Sequence, residues 1–335
     1  MFDLHLLKTN PVKHLSIIVP NGENNLSSIV GSYKIFSRAN ALWKEKGNGD
    51  LFKIELVGVA GQVDFHGGLF SVNTHTTISR VQKTDLIIIP SLNHNYKQAL
   101  SENKQLLNWL VKHYKEGASI ASICTGAFLL AATGLLDGKT CSTHWSADAE
   151  FRQRFPEINL KTDKLITDED GIYTNGGAFS FLNLIIYLIE KYYDRQLAIY
   201  CAKVFQIDMD RSFQSAFSIF NGHKKHNDKE VYEAQVYLEL NYQDKISIGD
   251  LSDKLHVGRR NFDRRFISAT GLTPLEYLQR VKVEAAKKFL ENTRKTVGEI
   301  MYDVGYSDTK AFRTVFSRIT GVSPNDYKSR YNKGS

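Results

Sequence analysis

The sequence predicts two folds in one chain: an α/β domain with a mostly parallel sheet sandwiched by helices, then an all-α domain carrying two helix-turn-helix units. Three observations predict this. Apolar runs of strand length alternate with helical patterns between residues 15 and 193, and residues 221–230, NGHKKHNDKE, contain no apolar side chain. The stretch from Ile246 to Lys328 contains one pattern twice: Phe262, Phe266, Thr270, Gly271, Pro274 and Tyr277 return fifty positions later as Phe312, Phe316, Thr320, Gly321, Pro324 and Tyr327. A fixed internal period marks a duplicated supersecondary unit. The expected division is 1–220, a linker at 221–230, and 231–335.

In the first domain, Leu15 to Val19 is an apolar run closed by Pro20 and an Asn- and Gly-rich loop, which predicts a buried strand. A helix is expected over 28–44, strands over 52–59 and 84–89, and a helix over 103–115 with Leu106, Leu107, Leu110 and Val111 along one side. Strands apolar on both faces and separated by helices predict a parallel sheet. Residues 117–123 form a small-residue strand that runs into Cys124, turns at Thr125 and Gly126, and enters an apolar helix ending near Gly134. A cysteine at such an elbow is placed as a nucleophile. The helix N-terminus predicts a partly exposed sulfur with a lowered pKa, although a small cysteine packed in a tight turn suits the same position. Further helices are expected over 178–193 and 198–205.

The passages Cys124-Thr-Gly-Ala-Phe-Leu-Leu, Gly134-Leu-Leu-Asp-Gly-Lys, Thr143-His-Trp145, Phe155-Pro156 and Tyr173-Thr-Asn-Gly-Gly177 resemble the ThiJ/PfpI branch of the class I glutamine amidotransferase-like fold over about residues 15–194. That resemblance implies a flavodoxin-like sandwich. It also implies that Cys124, Thr125 and His144 lie near the floor of a ligand pocket. In one subgroup of that fold the domain is fused to a DNA-binding tail, and residues 211–217 resemble the join. Members that act as enzymes usually place an acidic residue at the start of the first helix; here the stretch is Leu26-Ser27-Ser28, with Glu23 in the preceding loop. Glycines that supply oxyanion contacts are replaced by Pro90-Ser-Leu-Asn93, and Thr125 stands where hydrolases carry histidine. A thiol without base, acid or oxyanion site lacks what nucleophilic catalysis needs. The expectation is therefore no catalytic residue and no cofactor.

In the second domain, residues 231–240 predict a packing helix. Ser247 with Asp250, and Thr296 with Glu299, cap the first helices of the two repeats; Val257-Gly258 and Gly305-Tyr306-Ser307 break them. At about 100° per residue, Arg260 and Arg264 point away from Phe262 and Phe266, with Asp263 on the flank. In the second copy Lys310 and Thr314 lie opposite Phe312 and Phe316, with Thr309 and Arg313 to one side. A charged, solvated face is the plain reading of such residues. Duplication and helix-turn-helix shape favour a major-groove surface, where arginine bridges two acceptors on a guanine edge. Thr273-Pro-Leu-Glu276 starts a linker helix of roughly 17 residues, about 25 Å long, with Leu275, Leu278, Ala285, Ala286, Phe289 and Leu290 on its apolar face. The patterns Gly-Tyr-Ser-Asp, Phe-x-x-x-Phe and Thr-Gly-Val-Ser-Pro resemble the AraC/XylS regulators, which implies binding to double-stranded promoter DNA through Arg260, Asp263, Arg264, Thr309, Lys310 and Arg313. The family commonly has arginine two residues after the first phenylalanine of the stripe; Arg264 meets this and Thr314 does not.

The chain has 335 residues and a formal charge of +7. From Lys254 onward it carries 17 Lys and Arg against 8 Asp and Glu, so the basic footprint lies on the repeat. Three cysteines without metal-like spacing argue against a disulfide framework and for a reducing cytoplasm. No signal-like or membrane-spanning run is expected. His223 and His226 sit at helical spacing without ligands to complete a shell, so no metal site is expected. A small-molecule effector, a second copy of the chain and RNA polymerase are the candidate partners besides DNA. The competing reading is a ThiJ/PfpI-type cysteine enzyme with a DNA-binding tail.

Overall fold

The computed structural model describes residues 11–93, 95–209, 214–224 and 226–332; the join at 211–217 lies partly outside them. Two compact units result, 1–214 and 215–335.

The first unit begins with β1 (Lys13–Val19), α1 (Leu26–Glu45) and β2 (Phe52–Gly58), followed by a hairpin of β3 (Gln62–Phe65) and β4 (Phe70–Asn73) and the short β5 (Thr76–Thr77). Next come β6 (Leu86–Ile89), α2 (Tyr96–Glu102), α3 (Lys104–Lys115), β7 (Ser119–Ile123) and α4 (Ala127–Ala131). β8 (Thr140–Cys141), α5 (Asp148–Arg154), β9 (Asn159–Leu160), β10 (Ile166–Glu169), β11 (Ile172–Asn175), α6 (Phe181–Tyr192) and α7 (Arg195–Phe205) complete it. The main sheet runs β10-β11-β7-β6-β1-β2-β5. All its pairings are parallel except β10 with β11.

Alternation along the buried strands builds the two cores. Leu15, Ile17 and Val19 share a core with Phe36 of α1, Leu184 and Ile185 of α6, and Leu197 of α7. Ile18, Ile87 and Ile89 join Leu106, Phe128 and Phe151 on the other face. The order in which strands are added reverses between β1 and β6, and the loops after them are zipped together: Asn25 N–H donates to Ser91 O at 2.8 Å and Asn93 N–H to Glu23 O at 3.2 Å. Such a switch point at the carboxyl ends of parallel strands is where these sheets form crevices.

The second unit opens with a 3-10 turn (Ser215–Phe217), then α8 (Lys229–Leu240), α9 (Ile248–Lys254), α10 (Arg259–Thr270), α11 (Pro274–Asn292), α12 (Val297–Asp303), α13 (Thr309–Thr320) and α14 (Pro324–Tyr331). α11 serves both repeats, giving Tyr277 and Leu278 to one core and Val283, Ala286 and Leu290 to the other. Its 19 residues span about 28 Å. Leu275, expected on the apolar face, is exposed, because it lies about 200° from Tyr277.

The polar stretch 221–230, read as a linker, is held by hydrogen bonds. Gly222 O accepts from Gln235 Nε2 at 2.6 Å and Tyr277 Oη at 3.1 Å, His223 Nδ1 bonds Thr270 O, His226 Nε2 bonds Gln235 Oε1, and Asp228 caps α8. Hydrogen bonding holds these described residues where apolar side chains are lacking. No helix among the described residues is long and apolar enough to cross a membrane.

Candidate nucleic-acid interface and the sheet-end elbow

Each repeated motif has a physical job. Thr270 Oγ1 donates to Phe266 O at 2.7 Å and Thr320 Oγ1 to Phe316 O at 2.8 Å, tying off α10 and α13. Gly271 and Gly321 follow at φ of +73° and +75°, the left-handed cap that only glycine adopts without cost. Thr273 and Ser323 then cap α11 and α14. The buried rings of Tyr277 and Tyr327 pack edge-on against Phe266 and Phe316, and their hydroxyls donate to Glu239 and Glu291. These shared constraints hold α10 and α13 by the same side, with Phe262, Phe266, Phe312 and Phe316 almost fully buried.

The opposite faces are open. Arg260 and Arg264 on α10, and Thr309, Lys310 and Arg313 on α13, are exposed. Arg264 Nη2 donates to Asn261 Oδ1 at 2.9 Å; no ion pair engages Arg260, Lys310 or Arg313 among the described residues. Asp263 is placed differently from its neighbours: it is half-buried and accepts from Arg259 Nε at 3.0 Å, so it aims Arg259 within the same face. Arg265, adjacent to Arg264, turns the other way. It bonds Asp228 at 2.6 Å and Glu230 at 2.5 Å, holding α10 to the start of α8; its guanidinium keeps the Asp228 carboxyl below its usual range, and a backbone N–H together with Arg265 does the same for Glu230. Lys282 is also structural: it is buried on α11, and its Nζ donates to Val304 O and Gly305 O, both at 3.1 Å. That pair of bonds pins the turn of the second repeat.

At the end of β7 the expected elbow forms, with Cys124 at φ +54°, but it is closed. Cys124 is 3% and Thr125 4% exposed. The Thr125 hydroxyl donates to Leu92 O at 2.7 Å and accepts from Leu92 N at 3.0 Å, while Ser91 Oγ lies 2.9 Å away. A Cβ on Gly126 would stand 2.5 Å from Pro90 O, so the loop after β6 lies directly on the elbow. Burial pushes the Cys124 thiol up, and hydrogen bonds from Ser91 and Thr125 only partly oppose it. This corrects the expectation of an exposed sulfur with a lowered pKa: desolvation outweighs the short helix behind it.

The structure brings Cys124 and Thr125 together. The neighbour of His144, Thr143, donates to Cys124 O at 2.9 Å, while His144 caps the next turn by accepting from Ser146 N at 3.2 Å. Glu23 accepts from His66 N at 2.8 Å, which turns its carboxylate toward the β3–β4 hairpin. Sequence reasoning missed Gln214, Ser142 and Asn175 near the elbow; the paired Gly176-Gly177, a sign of close approach, was the signal for them.

A mostly parallel α/β unit with an elbow cysteine is followed by two copies of a helix-turn-helix unit. Residues 34–190 match the DJ-1/PfpI family and residues 251–330 the helix-turn-helix domain family. The chain thus carries a region similar to the DJ-1/PfpI family ahead of a region similar to helix-turn-helix domains. It is similar to the HTH-type transcriptional regulator GbdR of Pseudomonas aeruginosa (strain UCBPP-PA14), with 24% identity over 68% of this chain and 62% of that protein. It is also similar to the HTH-type transcriptional regulator CdhR of Pseudomonas aeruginosa (strain PAO1), with 23% identity over 82% of this chain and 81% of that protein. The match with GbdR therefore spans less than two thirds of that relative. Among solved structures, a putative transcriptional regulator protein from Vibrio parahaemolyticus shares the fold at a TM-score of 0.52 and 22% identity, over 58% of this chain and 98% of that one.

Proposed function

We propose that the chain is a sequence-specific, DNA-binding transcription regulator whose front domain senses a small molecule and pairs with a second copy. The observation that carries this is the twin presentation of exposed basic side chains, Arg260 and Arg264 in one repeat and Lys310 and Arg313 in the other, opposite identical buried Phe stripes. The guanidinium fork matches the O6 and N7 acceptors of guanine, and the shared helix α11 sets the two reading helices apart. Pairing of two copies would add avidity without new contacts, RNA polymerase is the partner an activator would contact, and three free, buried cysteines suit a reducing cytoplasm. Selection of duplexes from a random library tests the reading. Wild type is expected to enrich one motif, and Arg264→Ala to lose preference at one position within it; enrichment of no motif refutes the proposal.

The front domain, in this reading, does not turn over a substrate. A buried thiol with a raised pKa and a Glu23 directed to His66 support that view. One observation favours the alternative, a cysteine enzyme: the positive φ of Cys124, which is the backbone of a nucleophile elbow. Turnover of an amide, isonitrile or dicarbonyl compound by wild type, abolished in Cys124→Ser, would establish it.

A further inference from the structure

The chain places one of its own side chains at the carboxyl end of the sheet. Gln214, the last residue of the front unit, is fully buried. Its Nε2 donates to Thr143 O at 2.8 Å, with Ser142 Oγ at 3.4 Å and Lys164 O at 3.5 Å, and its backbone N–H donates to Asp163 O at 3.1 Å. A Cβ on Gly176 would fall inside this amide, and one on Gly177, at φ +90°, would lie 3.7 Å from Gln214 Oε1. The missing side chain of Gly176 leaves a slot that the glutamine amide fills. It follows directly after β11, whose Asn175 pairs with Ile123 of β7, the residue before Cys124, and Thr143 bonds the carbonyl of Cys124 itself. The slot therefore lies among the strand ends where parallel α/β sheets hold ligands.

As permanent core this arrangement is poor. Gln214 Oε1 and Asn175 Oδ1 are both buried without a hydrogen-bond partner among the described residues, a state that native interiors rarely retain. The walls around the Gln214 amide nitrogen present acceptors: the Thr143 and Lys164 carbonyls and the Ser142 hydroxyl oxygen. A head group with two N–H donors satisfies them, and a carboxylate, which only accepts, does not.

We propose that Gln214 is a tethered occupant of the effector slot, and that a free small molecule carrying a primary carboxamide takes its place. Release of the Gln214 amide removes the side-chain bonds that hold the chain directly before Ser215, where the helical unit begins, and so couples the slot to DNA binding. This rests on the reading of the front domain as a sensor.

The test uses the full chain and propanamide, which reproduces the end of the glutamine side chain, with propanoate as its donor-free twin. Calorimetry is expected to show Gln214→Ala binding propanamide at least about tenfold more tightly than wild type, because the competing tethered amide is gone, and propanoate binding to neither. Saturating propanamide should move wild-type duplex affinity to the Gln214→Ala value and leave Gln214→Ala itself unmoved. Gln214→Glu keeps the length but offers no donor, so it should also vacate the slot and bind propanamide as the alanine variant does, which keeps the test open if alanine destabilises the domain. Equal propanamide affinity in wild type and both variants, no propanamide binding by any of them, or variant duplex affinity equal to wild type overturns the proposal. Loss of all salt-dependent duplex binding by wild type would instead sink the regulator reading beneath it.

Discussion

Gly305 offers a sharp energetic test of how the second repeat is built. It sits at φ +73° in the turn between α12 and α13, and a Cβ there would overlap Gln243 O and stand 2.6 Å from Lys282 Nζ. Alanine at a left-handed position costs about 1 kcal/mol or slightly more, and forcing a methyl against fixed backbone costs about 1–3 kcal/mol. Gly305→Ala is therefore expected to destabilise the helical unit by about 2–4 kcal/mol, the sum of those two effects. Gly298→Ala is the internal control: it lies within α12 and its Cβ would meet only Thr296 Oγ1 at 3.9 Å, so helix propensity predicts neutrality or a gain of up to about 1 kcal/mol. Urea unfolding separates the units conveniently, because Trp43, Trp109 and Trp145 are the only tryptophans and all belong to the front unit. Loss of far-UV helical signal should move to lower urea in Gly305→Ala while the tryptophan transition stays in place. A shift below about 0.5 kcal/mol, within the range of an ordinary surface change, would refute the packing argument.

Burial raises the thiol pKa of Cys124, and lifts Cys141 to about 12 and Cys201 to about 11. Near neutral pH all three should alkylate far more slowly in native than in unfolded protein, with rates climbing as pH rises; a Cys124 that reacts as fast as an unfolded thiol contradicts the closed elbow. Asp228 is held below its usual pKa chiefly by Arg265, and Glu230 by a backbone hydrogen bond and then Arg265, so their contribution is present above the ordinary carboxylate range and is lost as pH falls through their lowered values. Arg265→Met should weaken the helical unit at pH 7 and flatten its acid dependence below about pH 4; an unchanged acid profile would show that the ion pair is idle. Between the repeats, Arg260→Ala or Arg264→Ala should each cost about 1–3 kcal/mol in specific binding, more than Lys310→Ala or Arg313→Ala, and the reverse order in a competition assay would disprove the assignment.

Motifs that act locally were legible in the sequence. The Thr-Gly-x-Ser/Thr-Pro signature could be read because the threonine hydroxyl, the left-handed glycine and the next N-cap all lie within a few residues. Alternating strands and helices likewise gave the parallel sheet, although the short β3, β4, β5, β8 and β9 carry too few residues for periodicity to show. Long-range closures were not legible. The exposure of Cys124 is decided by Ser91 and Leu92, more than thirty positions earlier, and the slot beside Gly176 is filled by Gln214, which has no local pattern. Arg265 and Lys282 likewise show no local pattern, yet each is committed to partners on other elements.

If the basic faces of α10 and α13 engage duplex DNA, as proposed, the salt dependence of duplex affinity, followed by fluorescence anisotropy, will show it. Wild type is expected to lose affinity linearly on a log-log plot, with a slope of about 0.9 per phosphate contact. Neutralising Arg260, Arg264, Lys310 and Arg313 together should make that slope shallower. Duplex affinity that is absent, indifferent to salt, or unchanged by the fourfold neutralisation would contradict it.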